Sequence, residues 1–122
     1  MKYLCLAYEE EKKLKSLSRA DWDALRSETL TYLGTLRKSG HLIATHALKS
    51  VQTATTLRVR DGSLSMTDGP FAETKEQLGG FFLIEACDLN EATQLAGKWP
   101  SARIGSIEVR PIEEELSRDS RY

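Results

Sequence analysis

The run Asp68-Gly69-Pro70-Phe71-Ala72-Glu73-Thr74-Lys75-Glu76-Gln77-Leu78-Gly79-Gly80 limits more than any other stretch how this chain can fold. Pro70 fixes its own φ, and Gly69 tolerates the restriction that a proline places on its predecessor. Phe71 is the apolar side chain expected to pin this bend to a core, and so to be buried. Gly79-Gly80 leads directly into Phe81-Phe82-Leu83-Ile84, the most apolar run of the chain. A backbone without side chains there lets a neighbouring segment approach closely. The chain must therefore bend near residue 70 and enter an interior strand near residue 81.

Either side of that run the pattern alternates between strand and helix. Residues 2–8 are apolar on both faces, with Leu4 and Leu6 on one and Tyr3, Cys5 and Ala7 on the other, as in a strand covered on both sides. Glu9 to Leu17 reads as a polar connection. Ser18 is placed to cap a helix, with Asp21 three residues on, and Trp22, Leu25, Thr29, Tyr32, Leu33 and Leu36 form one helical face. Gly40 stops that helix. His41 to Leu48 turns strand-like. Thr53–Arg60 and Ser63–Thr67, joined by Asp61-Gly62, read as a hairpin. Asp88 to Glu91 starts a second helix with a buried stripe of Ala92, Leu95, Ala96 and Trp99, which Pro100 ends. Ile104 to Ile112 is the last strand. The order, with the hairpin set aside, is βαββαβ, a ferredoxin-like α+β unit with an inserted β-hairpin. Residues 1–115 form a single domain and 116–122 a flexible tail.

The same pattern predicts a homodimer. A βαββαβ unit puts both helices on one face of its sheet, and the strands at 2–8 and 81–86 carry large apolar side chains on the other face too. A second copy packed sheet to sheet would cover that patch.

At 122 residues the chain is long enough for one substantial core. A net charge of -1 provides no global field for nucleic acid or anionic lipid. The apolar run at the N-terminus is too short for a signal-peptide core with a cleavage site, and no later stretch suits a bilayer, so a cytoplasmic protein without a membrane partner is expected. Cys5 and Cys87 fall in apolar runs without C-x-x-C spacing and are expected as buried free thiols. The two histidines and two cysteines lack metal-ligand spacing, no G-x-G-x-x-G opens a helix and no Gly-x-Ser-x-Gly is present, so neither metal nor cofactor is expected. Gly80-Phe81-Phe82-Leu83-Ile84 superficially suggests an RNA-binding strand. The usual basic residue before the glycine is missing and the chain is mildly acidic, which argues against nucleic acid.

Two acid–base candidates stand out. Asp68 sits at the rigid bend beside Glu73, Lys75 and Glu76, where crowded charges shift one another's pKa. The alternative is that Asp68 caps the bend and the others are a solvated face. His46 shares a strand face with Leu42, Ala44 and Leu48, which would set an imidazole over a pocket, or else make it a core histidine bonded to a carbonyl. Glu73, Lys75 and Arg110 are the candidate ligand contacts. Glu108 and Arg110 lie on one strand face and either pair with each other or meet an anion.

Asp68-Gly-Pro-Phe71, continuing through Ala-Glu-Thr-Lys-Glu to Gly-Gly-Phe-Phe, resembles the signature of the DGPF-domain proteins within the YCII-related family. Thr55 to Gly62 and Glu108-Val109-Arg110-Pro111 resemble runs of the same family, so the likeness spans nearly the whole chain. The resemblance implies a ferredoxin-like fold that pairs into a dimeric α+β barrel. Relatives in the wider group use a His and an Asp, the His lying on the first helix. Here that helix carries Trp22 and no histidine, so the dyad does not carry over. The resemblance leaves three classes open. One is a small-molecule enzyme using Asp68 and His46. Another is a non-catalytic ligand-sensing or protein-interaction module associated with sigma-factor systems. The third, by fold analogy, is a cofactor-independent oxygenase-like enzyme.

Overall fold

Strand β1 (Lys2–Glu9) shows how the alternation works. Tyr3, Cys5 and Ala7 point to one face and are buried, while Leu4, Leu6 and Tyr8 point to the other and are half-buried. The computed structural model describes residues 1–114 and 118–121. After β1 come a short helix α1 (Glu11–Ser16) and a long helix α2 (Arg19–Lys38). Strand β2 (Leu42–Ala47), a 3-10 turn at Val51–Thr53 and the hairpin strands β3 (Thr55–Arg60) and β4 (Ser63–Asp68) follow. The chain ends with β5 (Gln77–Glu85), α3 (Leu89–Gly97), a second 3-10 turn at Pro100–Arg103 and β6 (Ser106–Pro111).

Four strands form one antiparallel sheet in the order β2-β5-β1-β6, and β3 and β4 form a second, two-stranded sheet. Asp61 and Gly62, both with positive φ (51° and 75°), make the tight turn between β3 and β4. The core lies where the helices cover one face of the larger sheet. Phe82 stacks on Trp99 at 4.1 Å, and Tyr32 meets Trp99 edge-on at 6.4 Å. The Tyr32 hydroxyl donates to the Leu95 carbonyl at 2.6 Å, so its polar end is satisfied beside the core.

The helix starts match their sequence signals. The Ser18 hydroxyl accepts from the Asp21 N–H at 3.1 Å, and the Asp88 carboxylate accepts from the Glu91 N–H at 2.8 Å. Glu91 reaches back to the Cys87 N–H at 3.0 Å, satisfying a second free donor.

Several expectations are corrected. The polar connection at 9–17 contains α1, whose lysines and glutamates are good helix formers despite lacking an apolar stripe. Trp22 is 40% exposed, because the first turns of α2 run past the edge of the core and only Leu33 and Leu36 are buried from that helix. Cys87 is exposed, since it lies past the end of β5 in the turn to α3.

The homodimer closing into a dimeric α+β barrel is also corrected. The chain forms two small sheets, and neither closes. A barrel needs its edge strands to meet, and here β2 and β6 are opposite edges of an open sheet with β5 and β1 between them. Residues 116, 117 and 122 of the expected tail lie outside the described residues. Arg121 approaches Glu113 at 3.9 Å.

Candidate functional site

The run from Asp68 to Gly80 divides into two halves with different supports. Asp68 ends β4 and pairs across the hairpin with Thr55. Gly69 takes φ 107°, a conformation that favours glycine, and its N–H donates to the Ala54 carbonyl at 2.7 Å. The Thr56 hydroxyl donates to the Gly69 carbonyl at 2.8 Å, and Arg58 donates to the Phe71 carbonyl at 3.2 Å. The bend is thus held by backbone groups and two hairpin side chains. The Phe71 ring, expected inside, is 79% exposed.

The second half is tied to the other end of β1. Gln77 donates to the Thr74 carbonyl at 2.6 Å and the Lys75 carbonyl at 3.3 Å, and its side-chain oxygen accepts from the Glu11 N–H at 3.0 Å. The Glu11 carboxylate in turn accepts from the Ser50 hydroxyl and the Val51 N–H, both at 2.9 Å. Ser106 donates to Glu76 at 2.7 Å. These bonds set Thr74–Gln77 against α1 and the first 3-10 turn, enclosing a cleft of about 310 Å3. Lys12, Lys15 and Lys75 line it and make no ion pair among the described residues. Its two acids are already engaged, Glu10 with Lys13 at 3.4 Å and Glu11 as above. The cleft therefore presents three ammonium groups that form no ion pair among the described residues, beside a Glu11 carboxylate held by neutral donors.

Beside the cleft wall, Glu9 pairs across the sheet with Gln77. A Cβ at Gly79 would lie 2.1 Å from Glu9 Oε2, so the carboxyl occupies space that only a glycine leaves open. Burial pushes the Glu9 carboxyl up from its ordinary value; the Ser101 hydroxyl opposes this, and the charges of Glu76 and Glu11 add to it. Ser101 is 6% exposed, and its hydroxyl faces that carboxyl without completing a hydrogen bond of normal geometry.

The candidates singled out in the sequence are dispersed. Asp68 is exposed at the end of the hairpin, and its side chain makes no hydrogen bond or ion pair among the described residues. His46 is exposed on edge strand β2, its ring tilted 55° at 5.8 Å from Phe81. No hydrogen bond joins Asp68 to His46, and they belong to different sheets. Arg110 pairs with Glu108 on β6. Glu73 is exposed on the loop, and of the five residues only Lys75 lines the cleft. Among the described residues no group of three His, Cys, Asp or Glu side chains is placed to hold a metal ion, and no helix is long and apolar enough to cross a membrane. Glu9 and Ser101 were missed. The signal for Glu9 was legible: it is the charged fourth member of the inward row Tyr3, Cys5, Ala7, Glu9.

Comparison with known proteins adds three findings. The YCII-related domain family matches residues 1–115. An uncharacterized protein of Rhizobium meliloti (strain 1021) is 35% identical over 114 residues, 92% of this chain and 92% of that protein. The solved structure of 5-chloro-2-hydroxyhydroquinone dehydrochlorinase from Burkholderia phenoliruptrix AC1100, in complex with 2,5-dihydroxybenzoquinone, superposes with a TM-score of 0.55 at 17% identity. That likeness covers 94% of this chain and 96% of the other, and it is a likeness of fold.

Proposed function

The chain belongs to the family of YCII-related domain proteins, and from that premise we propose that it binds a small organic anion in the cleft between α1 and Thr74–Gln77. One observation carries the reading: three ammonium groups, Lys12, Lys15 and Lys75, line the cleft without an ion pair among the described residues and outnumber its two carboxylates, one of which Lys13 engages. Carboxylate, phenolate and phosphate oxygens are the natural complements of such groups. The hydroxylated quinone in the fold neighbour's complex is one example of a small, acidic, oxygen-rich ligand. Asp68-Gly-Pro-Phe71 supports placement within the DGPF branch of the family, and Asp68 and His46 are the acid–base candidates of a catalytic version of this reading. Both are exposed and so open to a ligand. The reading carries the cytoplasmic location expected from the sequence, which cell fractionation would check.

The test is NMR titration at low ionic strength with benzoate, inorganic phosphate and 2,5-dihydroxybenzoquinone. Saturable shifts at Lys75 and Gln77 are expected for at least one probe, weakened about three- to tenfold in Lys75→Ala. No saturable shift for any of them would remove the reading. Asp68 and His46 do not line the cleft, so Asp68→Asn and His46→Gln should leave probe binding there unchanged, and a loss of binding in either variant would show that the ligand reaches them.

A second reading, a protein-interaction module, has its own observation. Leu57 (60% exposed) and Val59 pair across the hairpin with Met66 (68% exposed) and Leu64, giving an exposed apolar face beside Phe71. A photo-crosslinker at position 66 would capture a sigma factor in cells if that module reading holds, and only background if it does not.

A further inference from the structure

The cleft carries charge but little surface for a ring. Val51 is its one apolar lining side chain among the described residues, and no aromatic residue lines it. Sites that take planar rings are lined mainly by apolar and aromatic side chains, so a benzenoid ligand would have only Val51 to pack against. Lys13 balances Glu10 at 3.4 Å, which leaves Lys12, Lys15 and Lys75 facing one further carboxylate, Glu11. Two more negative charges would bring the cleft to neutrality. The three ammonium groups come from two elements. Lys12 and Lys15 are three residues apart on α1 and so share one side of it, where like charges repel. Lys75 comes from the loop before β5. Of the neutral polar side chains, Gln77 is spent on the wall and the Thr74 hydroxyl donates to the Glu76 carbonyl. The Gln52 side-chain amide makes no hydrogen bond among the described residues. A volume of about 310 Å3 has room for about ten waters, and so for a molecule of several carbon atoms in place of a lone ion.

We propose that the cleft takes a short aliphatic dicarboxylate, with one end between Lys12 and Lys15 and the other at Lys75. The proposal rests on the reading of the cleft as an anion site and narrows it to a ligand without a ring, unlike the quinone in the fold neighbour's complex. A carboxylate between Lys12 and Lys15 relieves their repulsion and accepts a charge-assisted hydrogen bond from each. The second carboxylate, on Lys75, ties the loop to α1. Gln52 donates to an oxygen of the ligand and so sets specificity without adding charge. A monoanion fills only one of the two ends, and a compact dianion such as sulfate brings the charge without the reach.

The experiment titrates the wild-type protein at low ionic strength with succinate, butyrate, sulfate and benzoate. The backbone amides of Lys75 and Gln77 and the side-chain amide of Gln52 are followed by NMR. Succinate should bind at least about tenfold tighter than butyrate or benzoate, and at least about threefold tighter than sulfate. Gln52 and Lys75 are exposed, so replacing either removes no core side chain. Lys75→Ala should shrink the preference for succinate over butyrate to less than about threefold, and Gln52→Ala should weaken succinate at least about twofold. Benzoate binding as tightly as succinate overturns this inference and leaves the anion cleft standing. Sulfate matching succinate does the same, because charge alone would then be read. A succinate preference that survives Lys75→Ala overturns the two-ended placement, and an unchanged succinate affinity in Gln52→Ala overturns the role of that amide. If no probe gives a saturable shift, the inference and the anion cleft both fall.

Discussion

Phe71 was expected to anchor the central bend, and its exposure changes what its loss should do. Phe71→Ala should cost less than about 0.5 kcal/mol in chemical denaturation, the range of surface substitutions, in place of the 3–5 kcal/mol of a buried ring. The two thiols should differ sharply. Burial pushes Cys5 up to about 12, while Cys87 is exposed. A thiol reagent at pH 8 should label Cys87 in the folded protein and reach Cys5 only on unfolding. Glu9 makes a pH prediction. Its folded pKa is raised above the unfolded one, so the stability that protonation contributes is fully present below the unfolded value and is lost as pH rises through the folded one. Glu9→Gln should therefore gain stability relative to wild type between pH 4 and pH 7. The gain should be under about 1 kcal/mol, because the half-exposed carboxyl is screened by solvent. Denaturation curves at the two pH values would show it, and a constant difference would refute it.

At the scale of elements, caps and close approaches decide more than propensity. Ser18 accepts the Asp21 N–H at the start of α2, and Ser18→Ala should cost about 1 kcal/mol by leaving that donor unsatisfied. Gly79 gives β5 a different vulnerability. The atom that a Cβ there would strike is the far end of the flexible Glu9 side chain, so Gly79→Ala should displace the carboxyl with little distortion of the strand. Glu9 should then titrate as an ordinary glutamate, and the substitution should be nearly neutral in a Glu9→Ala background. Additive losses in a double-mutant cycle would show that the strand, not the carboxyl, resists the change. Gly80 lacks that tolerance, since a Cβ would meet the His46 backbone carbonyl at 2.9 Å.

For the whole molecule, one aromatic stack joins sheet and helices. Phe82, with no exposed surface, lies on Trp99, which packs with Tyr32 of α2. Phe82→Ala should lose about 3–5 kcal/mol, a large share of the 5–15 kcal/mol that domains of this size possess. The loss should appear in one cooperative transition, because the sheet, α2 and α3 share that core. Two transitions would mean that the hairpin, whose β4 has no buried residue, unfolds by itself.

Alternation in Tyr3–Ala7, the caps at Ser18 and Asp88 and the Asp61-Gly62 turn made β1, both longer helices and the hairpin legible in the sequence. These are local signals, set by spacing along the chain and by backbone groups that must be satisfied within a few residues. The destination of Phe71 and the openness of the sheet were not legible, because apolar character marks what can be buried without saying which neighbour arrives to bury it. The cleft and the Glu9–Ser101 pair were equally hidden, since Glu9 and Ser101 lie far apart in sequence and meet only through the register of β1 against β5 and the placement of the second 3-10 turn. The sequence by itself determined which segments become strands and helices; only the tertiary structure decided which charges share a wall, because that depends on long-range pairing that no local pattern encodes.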